Sequence, residues 1–118
     1  MRKSILASVS LLICSLGLVL SACGSDDDTA PCDQLIRLAQ GADLFLCEAS
    51  YLDGEDNPPD LHLTGREAAE HATKAEVGRL LLTHLVPAWG SEALTLEAAR
   101  AAFEGPIDIV RPGARYDI

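Results

Sequence analysis

No cluster of lysine and arginine occurs in the 118 residues, and acids outnumber bases 18 to 9. A surface of that sign repels phosphate backbones, so tight nucleic-acid binding would need a metal ion or a local basic patch. Closely spaced cysteine pairs are missing too. There is no Cys-x-x-Cys and no finger-type cysteine and histidine spacing, so a structural zinc site of that kind is not indicated. Beyond the first two dozen positions no apolar run approaches the ~20 residues that a membrane-spanning helix needs. A chain this short holds one domain at most, with a thin core, because small proteins bury a smaller share of their surface.

What is present begins with Met1, Arg2 and Lys3, then an apolar run over residues 5–20. That is a positive region followed by an apolar region of signal-peptide length. Leu20-Ser21-Ala22-Cys23 follows at once and resembles the lipobox of bacterial lipoproteins. The resemblance implies a signal over residues 1–22, a diacylglycerol on the Cys23 sulfur, and attachment to the outer face of a cell membrane. Residues 23–27 then read as a short acidic tether, and 28–118 as the domain. A misplaced start ahead of a cytoplasmic protein is the alternative. Cys14 lies in the leader, which leaves Cys32 and Cys47. Export would permit a disulfide between them. The apolar run around Cys47 points instead to a buried free thiol.

The domain alternates helix and strand. Residues 33–40 carry a short amphipathic pattern stopped by Gly41, and residues 43–49 form a continuous apolar run flanked by acids, as in a buried strand. Residues 50–61 hold Gly54, Asn57, Pro58 and Pro59 and form a loop. Thr64 and Glu67 make a capping box for a helix to about residue 75, with Ala68, Ala69, Ala72 and Ala75 on one face and His71 expected on the outer face. A strand over 77–82 ends at Thr83-His84, a helix starts at Ser91, and a strand over 107–110 follows, with 114–118 a candidate to pair beside it. The pattern predicts an α/β fold with one parallel or mixed sheet, incomplete in that one sheet face lacks a covering layer.

In open sheets of this class, chemistry gathers just past the carboxyl ends of the strands. Glu48 ends the first strand, His84 ends the second, His62 precedes the capped helix, and Asp28 precedes the first helix. Each has a plain alternative. Glu48 also reads as a solvated strand end, His62 as a loop residue, His84 as a sheet-edge histidine, and Asp28 as one of three tether acids.

Four blocks occur in order: Asp-Asp-Thr-Ala-Pro-Cys at 27–32, Ala-Asp-Leu-Phe-Leu-Cys-Glu-Ala-Ser at 42–50, His-Leu-Thr-Gly-Arg-Glu-Ala at 62–68, and Leu-Leu-Leu-Thr-His-Leu at 80–85. Together they resemble the C-terminal half of the metallo-β-lactamase αββα fold, in its ribonuclease Z-like and cyclic-nucleotide phosphodiesterase-like members. The resemblance implies that Asp28, in an Asp-Thr segment, bridges two metal ions, zinc or manganese, and that His84 is the last metal-binding histidine. It implies that His62 contacts the scissile phosphate and protonates the leaving oxygen, with Glu48 orienting it. Such roles suit the chemistry: a two-metal centre holds a hydroxide and neutralises phosphate charge, while a histidine and carboxylate pair supplies a positioned proton. Asp27 stands where the family has glycine, and the family's His-x-His-x-Asp-His motif is absent.

Three functions are therefore expected to compete. One is a truncated hydrolase, silent alone. A second is a phosphodiesterase, for cyclic nucleotide or RNA, completed by a separate chain that carries the missing half; self-association through the uncovered sheet face is a separate expectation. The third is a non-catalytic lipoprotein of the cell surface.

Overall fold

The computed structural model describes residues 31–54, 56–58, 61–86 and 92–118. Six elements follow one another in strict alternation: α1 (Asp33–Ala39), β1 (Phe45–Glu48), α2 (Gly65–Lys74), β2 (Leu80–Thr83), α3 (Glu92–Arg100) and β3 (Ile107–Ile109). The three strands lie in the order β1-β2-β3, and both pairings are parallel. The sheet expected to be parallel or mixed is thus parallel throughout its described strands.

Register explains the core. Phe45, Leu80 and Ile107 stand side by side, as do Cys47, Leu82 and Ile109, so the alternation of a strand sends both rows to one face. Against that face lie Ala68, Ala69 and Ala72 of α2, Ala99 of α3 and Phe103. Alanine removes side-chain bulk from the helix, which then sits close to the sheet. The helices α2 and α3 also meet closely: a Cβ on Gly65 would meet Thr95 Cγ2 at 2.7 Å and the Thr95 carbonyl oxygen at 2.8 Å. The intermediate row runs through Leu46, Leu81 and Asp108 on the opposite face. Leu81 is buried there all the same, so that face is not bare at its centre.

The helix starts are chemical. Thr64 Oγ1 accepts from the Glu67 amide, and Glu67 returns a carboxylate oxygen to the Thr64 amide at 2.8 Å, closing the expected capping box. Gly41, at φ +67, ends α1 and donates to the Ala75 carbonyl at 2.7 Å, which ties the ends of α1 and α2 together.

Several expectations are corrected. The second strand begins at Leu80 rather than at 77, because a turn with Glu76 at φ 52 occupies the preceding residues. Residues 114–118 form no strand. There, the Tyr116 hydroxyl donates to the Ile109 carbonyl and accepts from the Arg111 amide, while Arg79 lies 5.7 Å over the Tyr116 ring and pairs with Asp108. Cys47 is a free thiol packed within the core row, so it makes no bridge to Cys32. His71 is not on a solvated face: it is 5% exposed, because the chain entering α1 crosses that side of α2. No helix among the described residues is long and apolar enough to cross a membrane. The leader, the lipobox with Cys23, the tether and Asp28 lie outside the described residues.

Candidate functional site

Parallel strands all end at the same edge, and three of the four candidates named from the sequence meet there. The reason is local. After β1 the chain leaves through Ser50 and Tyr51 and returns through His62, Leu63 and Thr64. These two limbs pair: Tyr51 and Thr64 form a parallel bridge, and the Tyr51 amide donates to the Leu63 carbonyl at 3.2 Å. The pairing lays His62 over the carboxylate of Glu48.

Glu48 is the hub. It is 1% exposed, and a carboxylate so buried costs several kcal/mol unless its oxygens are bonded. They are. Oε2 accepts from the Ser50 hydroxyl at 2.6 Å and the Ser50 amide at 3.2 Å. Oε1 accepts from the Leu63 amide at 3.0 Å and lies 3.2 Å from His62 Nδ1. An ionised carboxylate can only accept, so Nδ1 carries the hydrogen of that last bond. His62 Nε2 is then the ring atom that can exchange a proton with a ligand.

The imidazole of His62 is also held by rings. Tyr51 meets it edge on at a centroid distance of 5.4 Å, and His84 meets it edge on at 5.7 Å. His84 follows directly on β2 and has φ 56, a left-handed backbone that non-glycine residues seldom adopt. Beside His62 opens a cavity of about 510 Å³ between the 51–58 loop and the start of α2, walled by Tyr51, Asp53, Asn57, Thr64 and Arg66 together with Pro31. Arg66 Nε donates to Asp53 at 2.7 Å across its rim.

Reading the sequence alone overlooked Ser50 and Tyr51 as site residues. A hydroxyl two positions after a strand-end acid is a local signal for a side chain bonding back to that acid. The contact of Tyr51 with His62 depends on the return of the loop and has no such signal.

The resemblance drawn from the sequence implies a metal. Among the described residues, no group of three or more His, Cys, Asp and Glu side chains is placed to hold one. Glu48 spends its oxygens on four donors, which leaves His84 as the described candidate ligand, whereas a catalytic zinc takes about three protein ligands. The described residues therefore do not by themselves make a metal centre.

No family model matches the sequence. An uncharacterised protein of Mycobacterium leprae is 50% identical over 91 residues, which cover 77% of this chain and 32% of that protein. Ribonuclease Z of Methanothermobacter thermautotrophicus is 46% identical over 78 residues, 64% of this chain and 25% of that enzyme. Ribonuclease Z of Gemmatimonas aurantiaca is 39% identical over 94 residues, 77% of this chain and 30% of that enzyme. The chain thus matches about a third or less of the length of these relatives. Among solved structures, the metallo-β-lactamase fold protein YhfI of Bacillus subtilis superposes with a TM-score of 0.67 at 31% identity, covering 74% of this chain and 36% of that one. The parallel sheet, its one-sided helices and these likenesses together show that the chain carries a portion of the metallo-β-lactamase fold, similar in sequence to ribonuclease Z homologues.

Proposed function

We propose that this chain is a portion of a metal-dependent phosphodiesterase of the metallo-β-lactamase superfamily, silent in isolation. In it, His62 contacts the scissile phosphate and delivers a proton to the leaving oxygen. One observation carries the reading: the buried Glu48 carboxylate gathers four hydrogen bonds and spends one of them on His62 Nδ1. A surface carboxylate would need no such cage. Holding Nδ1–H fixes the ring, and the negative charge behind it stabilises the imidazolium that forms when Nε2 takes up a proton. Asp28 and His84 are proposed ligands of the metal pair, zinc or manganese, whose remaining ligands come from the motif that this sequence lacks.

The acidic balance of the chain favours a small nucleotide over RNA as substrate, because a polyanion gathers more repulsion than a single phosphodiester. The lipobox favours an anchored chain, and the intact mass of the mature protein tests it: a chain without diacylglycerol on Cys23 ends that part of the reading.

Turnover of bis(p-nitrophenyl) phosphate tests the rest. The purified chain with zinc or manganese is expected to be inactive, and to gain activity when mixed with a polypeptide bearing the His-x-His-x-Asp-His half. In the active mixture His62→Ala is expected to lose about 100-fold, the scale of general acid catalysis. Turnover by the chain alone would refute its silence, and an active mixture indifferent to His62→Ala would refute the role of His62.

A further inference from the structure

His71 is a buried, titratable side chain that the proposed chemistry leaves unused. It sits in the middle of α2 at 5% exposure, and both of its ring nitrogens are engaged. Nδ1 lies 2.6 Å from the Glu67 carbonyl oxygen, one helical turn back. Nε2 lies 3.1 Å from the Cys32 amide nitrogen, which donates to it across 39 positions of sequence. A carbonyl can only accept and an amide can only donate, so the pair of bonds admits one form of the ring: neutral, with the hydrogen on Nδ1. An apolar residue would fill this space more cheaply than an imidazole that needs two matched partners.

One partner, Glu67, lines the cavity beside His62, and the other, Cys32, follows Pro31, which lines it too. Pro31, bonded in sequence to Cys32, forms one wall, and Glu67 with Thr64 forms the other. Glu67 also caps the Thr64 amide, and the adjoining Leu63 amide holds Glu48. His71 therefore spans from the entering strand of chain to the helix whose first turn carries the His62 site.

We infer that His71 is a positioning residue: in its neutral Nδ1–H form it clamps the 31–32 segment to α2 and so sets the separation of the two cavity walls. Asp28, proposed above as a metal ligand, stands four positions before Cys32 in the sequence, which gives the clamp a bearing on that site. That significance rests on the proposed function, whereas the clamp itself does not.

The test uses the full chain and needs no turnover. Nitrogen chemical shifts of the histidine rings report the tautomer, and His71 is expected to show a protonated Nδ1 and a bare Nε2. Hydrogen exchange then reads the clamp. His71→Leu, which fills a similar volume without the two bonds, is expected to speed exchange of the Cys32 amide by about tenfold, while His71→Gln, with its own acceptor and donors, restores protection to within about twofold. Amides of Ser50 and Leu63, which bond Glu48, serve as the folding control and are expected to stay protected in both. An Nε2–H tautomer in the parent chain would overturn the inference, and so would a His71→Leu chain whose Cys32 amide exchanges as slowly as in the parent. If His71→Leu does not fold, His71→Gln and the tautomer decide alone, and loss of Cys32 protection in His71→Gln overturns the clamp. A chain that keeps the clamp and never shows phosphodiesterase activity in complementation would sink the proposed function and leave this inference standing.

Discussion

His62 and His84 stand edge to face with ring centroids 5.7 Å apart, one from a loop after β1 and the other from the end of β2. His62 is held by Glu48 at the end of β1, and His84 is turned by its own left-handed backbone. The carboxylate is the member of this group on which the fold depends most.

Glu48→Ala is accordingly expected to destabilise the chain by about 3 kcal/mol, the cost of stranding the partners of a buried charge. The Ser50 amide, Ser50 hydroxyl and Leu63 amide would all lose their acceptor. Urea unfolding followed by circular dichroism measures it, and a midpoint equal to that of the parent would contradict the hub role.

Cys47 is expected to resist alkylation in the native chain at about pH 8.5, where an ordinary thiol is half ionised. Burial, and after it the charge of Glu48, pushes its pKa up. The sign follows from linkage. With the folded pKa raised, the unfolded thiol ionises first, so this group's contribution is intact below the ordinary thiol range and declines as pH rises above it. Native-state labelling with iodoacetamide, compared with labelling in urea, checks the protection.

Thr64→Ala removes the acceptor for the Glu67 amide and is expected to cost about 1 kcal/mol, as for other helix caps. The loss should appear as a lower unfolding midpoint, with helical signal otherwise retained.

Gly65→Ala is expected to cost about 2 kcal/mol by overpacking, since the new methyl would press on both Cγ2 and the carbonyl oxygen of Thr95. Combining it with Thr95→Ser should recover part of the loss only, because the backbone oxygen remains. Full recovery would show that the side chain alone sets the helix spacing.

Legibility in the sequence followed the range of the interactions. The start of α2 could be read from Thr64 and Glu67 because a cap is settled within four residues, and the strand through Phe45 and Leu46 because an apolar run flanked by acids has few other uses. The parallel order followed from alternation. For His71 the helical pattern points outward, while the segment at Cys32 that covers it arrives from 39 residues away. The candidate pairing of 114–118 gives way because Tyr116 is engaged by Arg79 and the Ile109 carbonyl from outside its own segment. At the site, residue types and order along the chain suggested Glu48, His62 and His84. The role of Ser50 in completing the carboxylate's shell needed coordinates.

The left-handed turn at His84 has a bearing on how this position tolerates change. Such a backbone costs a residue with a Cβ about 1 kcal/mol or more, and glycine would occupy it without that penalty. A drift toward glycine would relax the chain while erasing the imidazole that faces His62. Selection on folding alone would therefore push this site in the opposite direction from selection on the proposed chemistry, which makes position 84 the place where a library screened only for stability should first discard the histidine.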